Sequence, residues 1–231
     1  MAHVLPPPPV VAVPVADSTD TFPVRRVYCV GRNYVEHAIE MGHSGREAPF
    51  FFMKPADALV VVPEGSTAEV AYPPGTADLH HEIELVVAIG AGGANIAAAD
   101  ASRHVWGYAV GLDMTRRDLQ GEAKKQGRPW EIGKAFDESA PIGPIRRAGG
   151  GAPLARAAIT LDVNGARRQA SDVAKLIWNI GEIIEHLSKY WRLEAGDLIF
   201  TGTPEGVAAV QRGDLLEGQV EGVGSLRVRL R

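Results

Sequence analysis

His80-His81-Glu82-Ile83-Glu84-Leu85-Val86-Val87-Ala88-Ile89-Gly90 is the stretch on which the reading of this chain turns. It reads as a strand, and a strand sends alternate side chains to opposite faces. Glu82 and Glu84 then project together, while Ile83, Leu85 and Val87 face the other way. Two neighbouring carboxylates in an apolar strand repel each other and resist burial. A divalent cation removes both costs. The alternative is an edge strand with a solvated acidic face.

A second apolar strand is predicted at Val105 to Leu112, ending at Asp113. Asp113 suits the N-cap of a helix predicted from Thr115 to Gln126, which carries Gln120. If the two strands are neighbours, it is also the natural third carboxylate beside Glu82 and Glu84. Strand, glycine-rich turn and short helix also follow one another around Gly90-Ala91-Gly92-Gly93-Ala94-Asn95. A dinucleotide fingerprint is rejected there: Asn95 takes the place of the last glycine, and a buried parallel strand would not carry two carboxylates.

Upstream, Val24 to Val30 reads as a strand, Gly31-Arg32-Asn33 as a turn, and Tyr34 to Met41 as a short helix capped by Asn33 and closed by Gly42. On that helix His37 and Glu40 are three apart and share a face. A carboxylate beside an imidazole orients it and raises its basicity, which suits a histidine that activates water. The plain alternative is a surface His-Glu pair. Lys54, after Phe50-Phe51-Phe52-Met53, either snorkels from the core or neutralises an anion. Lys134 follows Gly133 in a hydrophobic setting, and a partly buried lysine needs an anion, a substrate or a lowered pKa.

Towards the C-terminus, Ile159 to Val163 with Asn164-Gly165 reads as a hairpin. Ile180 to Tyr190 reads as an amphipathic helix with His186 on its surface. The strand Leu198 to Phe200 runs into the tight polar loop Thr201-Gly202-Thr203-Pro204-Glu205-Gly206, where Thr203 can offer hydroxyl and amide to a carboxylate.

The 231 residues are 45% hydrophobic and 23% charged, the balance of a soluble globular protein. A formal net charge of −4 without a long basic run argues against nucleic acid or an anionic membrane as partner. Cys29 is the only cysteine, which excludes an intramolecular disulfide and Cys₄ or Cys₂His₂ zinc sites. With no membrane-spanning run and no signal-peptide pattern, the expected location is the cytoplasm. Residues 1–21, including Pro6-Pro7-Pro8-Pro9, read as an extended arm, with a disordered tail as the equal alternative, before one catalytic domain at 22–231.

Six motifs, in order, resemble the fumarylacetoacetate hydrolase family: Gly31-Arg32-Asn33-Tyr34 with His37 and Glu40, Lys54-Pro55, His81-Glu82-Ile83-Glu84-Leu85, Gly111-Leu112-Asp113-Met114-Thr115, Gly133-Lys134, and Thr201-Gly202-Thr203-Pro204-Glu205-Gly206-Val207. The likeness is to its small acylpyruvate hydrolases, fumarylpyruvate hydrolases among them. It implies a β-rich α+β fold, with sheets wrapped into a roll and a few short peripheral helices, usually as a homodimer. It implies Mg²⁺ or Mn²⁺ on Glu82, Glu84 and Asp113, and hard cations do prefer such oxygen ligands. Under the same likeness His37 and Glu40 activate water and Lys134 stabilises an oxyanion. Gln120, Thr203 and Arg32 bind a diketo acid that is cleaved to pyruvate and an acid, fumarate in the case of fumarylpyruvate. Relatives that act as oxaloacetate decarboxylases or hydroxymuconate isomerase/decarboxylases offer a second reading on the same metal site. A non-catalytic metal- or oxoacid-binding protein is the reading of another class.

Overall fold

The computed structural model describes residues 3–35 and 46–231. The strand expected from His80 to Gly90 is in fact two: Leu79–His80 belongs to a three-stranded sheet and Ile83–Ile89 to an eight-stranded one. The interruption has a local cause. The Ile83 N–H donates to the Gln169 side chain at 3.1 Å instead of to a strand partner, and His81 Nδ1 meets the same oxygen at 2.9 Å.

The neighbouring chain segment breaks at the same level. Val105–Leu112 runs antiparallel to Ile83–Ile89, with Leu112 opposite Ile83. Thr115–Arg116 runs antiparallel to Leu79–His80, with Thr115 opposite His80. Both segments therefore leave one sheet and enter another at a shared corner, where the Asp113 N–H donates to the Glu82 carbonyl at 2.9 Å. Asp113 does not cap the next helix, which runs Arg117–Lys125 behind Arg116. The antiparallel pairing of Ile83–Ile89 also removes the parallel βαβ unit that a dinucleotide fold requires.

The eight-stranded sheet has the order Phe50–Lys54, Val27–Gly31, Leu198–Phe200, Ile83–Ile89, Val105–Leu112, Ala140–Ile142, Leu59–Val61, with Arg146–Arg147 also on Val105–Leu112. Ile83, Leu85 and Val87 pack with Ile159, Leu161, Leu216 and Val228 of a five-stranded sheet. Val86 and Ala88 point the other way, into a second cluster with Val27, Cys29, Leu198 and Phe200. Both faces are thus buried, which explains the unbroken apolar reading of the strand. The second face is covered in part by the N-terminal residues: Ala12–Pro14 pairs with Thr21–Pro23, and Val13 and Phe22 join that cluster.

The curled sheets and few helices make this a β-rich α+β fold. The Ile180–Tyr190 helix has the expected bounds, closed at its start by a capping box between Asn179 and Glu182. Ile183, Ile184 and Leu187 are its buried stripe, and His186 stands edge-on to Trp178. Ala158–Val163 and Ala166–Asp172 form the expected hairpin around Asn164-Gly165. Both turn residues have positive φ, as a type I′ turn demands. No helix among the described residues is long and apolar enough to cross a membrane.

Candidate active site

The corner between the two sheets gathers the three carboxylates. Glu82 and Asp113 sit in the two chain crossings, and Glu84 follows inside the large sheet, opposite Gly111. A Cβ at Gly111 would lie 2.6 Å from the Phe200 ring and 2.7 Å from a Val86 methyl, so only glycine fits there. One ligand oxygen from each of Glu82, Glu84 and Asp113 lies within 4.8 Å of the others, and all three residues are buried.

Cations surround this acidic cluster unevenly. Lys134 Nζ donates to Glu82 at 2.9 Å, to Asp113 at 2.7 Å and to the Thr115 hydroxyl at 2.7 Å. Lys54, also buried, lies 2.9 Å from the other Asp113 oxygen and donates to the Met114 and Lys134 carbonyls. The Arg117 guanidinium donates to Glu82 and to Gln120. Glu84 has the backbone N–H of Gly202 at 2.7 Å. Burial, and then the Asp113 and Glu82 carboxylates, push the Glu84 carboxyl well above the usual range. Burial alone would depress the Lys134 ammonium, but Asp113 and Glu82 outweigh it and hold the group above its ordinary value.

This arrangement fits a divalent cation. The donors are hard carboxylate oxygens in a space small enough for one ion, and Glu84 is a desolvated carboxylate without a side-chain cation bonded to it among the described residues. Asp113 Oδ1 also lacks a well-formed hydrogen bond, although Lys54 lies close to it.

A cleft opens above the cluster. Gln120, Lys134, Thr203 and Arg32 line it, together with Arg117 and Lys124 from the same helix as Gln120. Arg32 has a φ of 54°, stacks its guanidinium 4.9 Å from the Phe50 ring centre and leaves its buried Nε without a partner among the described residues. The structure therefore brings together seven of the nine residues singled out from sequence. The other two, His37 and Glu40, and the helix expected to carry them, lie outside the described residues. Among the described residues, the Asn33 side chain donates to the Thr201 and Trp178 carbonyls and accepts from the Trp178 N–H; the helix it is expected to cap lies outside them.

The family model described as fumarylacetoacetate (FAA) hydrolase C-terminal matches residues 26–231. The chain belongs to this family. Among FAA hydrolase relatives, a fumarylpyruvate hydrolase of Ralstonia sp is 48% identical over 183 residues, 78% of this chain and 91% of that protein. The oxaloacetate tautomerase YcgM of Escherichia coli (strain K12) is 41% identical over 202 residues, 87% of this chain and 90% of that one. Among solved structures, the fumarylpyruvate hydrolase from Pseudomonas aeruginosa in complex with Mn²⁺ and pyruvate superposes with a TM-score of 0.97. It is 56% identical, over 99% of each chain.

Within this FAA hydrolase framework, Arg117 and Gln169 escaped the sequence reading, and Lys54 was left open. Arg117 precedes Gln120 by one helical turn, and that spacing is a signal for a shared face. Lys54 was left between two roles, and the ion pair with Asp113 assigns it the anion. Gln169, fully buried behind His81 and Thr203, carried no signal at all. Burial lowers the pKa of His81 to about 4, so this neighbour of Glu82 is neutral at physiological pH.

Proposed function

We propose that the protein is a metal-dependent acylpyruvate hydrolase that cleaves fumarylpyruvate to fumarate and pyruvate. The observation that carries the reading is a buried cluster of Glu82, Glu84 and Asp113 under a cleft whose walls hold Arg32, Arg117 and Lys124. An acidic floor that takes a divalent cation and a basic wall suit a substrate that chelates at one end and is anionic at the other. Likeness to the Pseudomonas aeruginosa enzyme, seen with Mn²⁺ and pyruvate, supports the same substrate class.

Glu82, Glu84 and Asp113 would hold Mg²⁺ or Mn²⁺. When bound, the ion supplies Lewis acidity at the 2-oxo-carboxylate end of the substrate. His37, oriented by Glu40, takes a proton from water, whose oxygen bonds to the distal carbonyl carbon. Lys134 and Gln120 stabilise the negative charge that forms on that carbonyl oxygen. The carbon–carbon bond then breaks, its electron pair passes to the pyruvate fragment, and that carbon takes up a proton as pyruvate and the acid leave. Arg32 and Thr203 orient the substrate's charged groups. The reading carries with it a cytoplasmic homodimer, and sedimentation of the purified protein checks the dimer.

Relatives named for oxaloacetate tautomerisation supply a second reading, because an enolised 2-oxo diacid needs the same acidic floor and basic wall. One experiment decides between them. Metal-stripped protein is mixed with fumarylpyruvate before and after Mg²⁺, the ultraviolet absorbance is followed and pyruvate is assayed. Metal-dependent bleaching with one pyruvate per substrate is the expected result. No bleaching, with accelerated keto–enol exchange or decarboxylation of oxaloacetate, would overturn the hydrolase reading.

A further inference from the structure

Gln169 lies on the Ala166–Asp172 strand of the five-stranded sheet and is fully buried. All contacts of its amide go to segments that build the active site. Oε1 accepts from the Ile83 N–H at 3.1 Å and lies 2.9 Å from His81 Nδ1. Nε2 donates to the Pro204 carbonyl at 2.8 Å and lies 2.9 Å from Thr203 Oγ1. Two of these partners have fixed polarity, because a backbone N–H only donates and a carbonyl only accepts. Ile83 and Pro204 therefore determine which end of the amide is oxygen and which is nitrogen.

The other two partners follow from that. Facing an amide oxygen, His81 must carry a proton on Nδ1. Facing an amide N–H, Thr203 Oγ1 must accept, so its own hydrogen is left for a different acceptor. Among the described residues none takes it, and Thr203 lines the cleft with Glu84. We propose that Gln169 is a positioning residue that makes Thr203 a hydrogen-bond donor to the carboxylate of a 2-oxo acid in the cleft. The identity of that acceptor rests on the acylpyruvate reading; the polarity of the chain from Ile83 through Gln169 to Thr203 does not. Without the amide, the hydroxyl can turn and present a lone pair to the anion, which repels it.

The first test needs no substitution in the network. Long-range ¹⁵N–¹H NMR of the metal-stripped protein reads the tautomer of each imidazole, and the His81 signals are assigned by their loss in His81→Gln. A proton on Nδ1 with a bare Nε2 is expected; the reverse tautomer would mean a reversed amide and overturn the proposal. The second test measures pyruvate binding to Mn²⁺-loaded protein by calorimetry. Thr203→Val should weaken it roughly tenfold or more, as expected for a hydrogen bond to a charged group, while Thr203→Ser retains it. Gln169→Met should lose about as much as Thr203→Val, and the double variant no more than either one. Additive losses, or a loss of Mn²⁺ affinity in Gln169→Met, would show that Gln169 acts elsewhere and overturn the proposal. Should Gln169→Met not fold, the tautomer and the two Thr203 variants still decide. Wild-type protein that shows the Nδ1 tautomer but binds no pyruvate would refute the substrate reading, and with it the acceptor proposed for Thr203.

Discussion

Replacing Glu84 by glutamine should stabilise the metal-stripped protein and abolish most of its response to metal. Glutamine keeps the shape of the side chain and an acceptor for the Gly202 N–H, and removes one of three crowded charges. Two unit charges at the 4.8 Å limit of this cluster repel by about 3.5 kcal/mol at an effective dielectric constant of ~20. Glu84 faces two such neighbours, with Lys134 and Lys54 offsetting part of the repulsion. A net gain of about 2 kcal/mol is consistent with what removal of buried charge delivers elsewhere. For a chain of this size that corresponds to a rise in Tm of roughly 4–8 °C.

Metal should reverse the order. A cation present at a hundredfold excess over its Kd adds about 2.7 kcal/mol to the native state. The wild-type protein should therefore gain this on Mn²⁺ addition, and Glu84→Gln only a fraction of it. The assay is thermal unfolding of both proteins, each in chelator and in Mn²⁺. Glu84→Gln melting below wild type in chelator would refute the electrostatic argument. An undiminished Mn²⁺ response in the variant would refute the ligand assignment.

Three further outcomes are expected, the first from the proposed role of His37 and the others from the structure. His37→Ala should lower turnover of fumarylpyruvate by about 10²–10⁴-fold, the range for a lost general base, while Mn²⁺ affinity measured by electron paramagnetic resonance stays near wild type; equal loss of both would refute the division of roles. Lys54→Met removes a buried ion pair and a donor to two backbone carbonyls, and should cost about 3–5 kcal/mol in urea unfolding; a cost below about 1 kcal/mol would show that Asp113 does not depend on Lys54. Cys29 is fully buried, and burial raises the pKa of its thiol well above the ordinary value. It should resist a thiol reagent in the native protein and react once in denaturant. Because its folded pKa is raised, its contribution to stability is present below the unfolded value and falls as pH rises above it; Cys29→Ala should flatten that alkaline limb in pH-dependent unfolding.

The sequence made the chemistry more legible than the geometry. The apolar run from Ile83 to Ile89 identified the strand and the spacing of Glu82 and Glu84 its two faces, while the stripe of Ile180, Ile183, Ile184 and Leu187 gave the helix with its bounds. The break at His81 and Glu82 was not readable, because its cause is Gln169, more than eighty residues away. Local propensity carries no trace of such a partner. Asp113 was ambiguous for a related reason. Between a strand and a helix an aspartate is usually a cap, and only the pairing of Leu112 with Ile83 places it beside Glu82. Lys54 shows the limit most plainly, since a lysine after three phenylalanines reads the same whether it reaches water or Asp113.

One property of the sheet accounts for how residues so distant in sequence share a site. Val27–Gly31, Leu198–Phe200, Ile83–Ile89 and Val105–Leu112 are consecutive in the eight-stranded sheet. The first two run parallel to each other, and Ile83–Ile89 runs against them, so the ends at Gly31 and Phe200 lie on the same edge as the start at Ile83. Val105–Leu112 finishes at that edge too. Arg32, Thr201 to Thr203, Glu82 and Asp113 are the residues just beyond these four ends. Each is positioned by the ladder behind it, and Asn33 ties two of the exits together through the Thr201 carbonyl. A site built on strand ends of one buried sheet needs few loop contacts to hold its geometry. Overpacking the sheet should therefore reach the site from behind: a side chain at Gly111 would meet Phe200 and Val86, which lie on the strands that carry Glu84 and lead into the Thr203 loop.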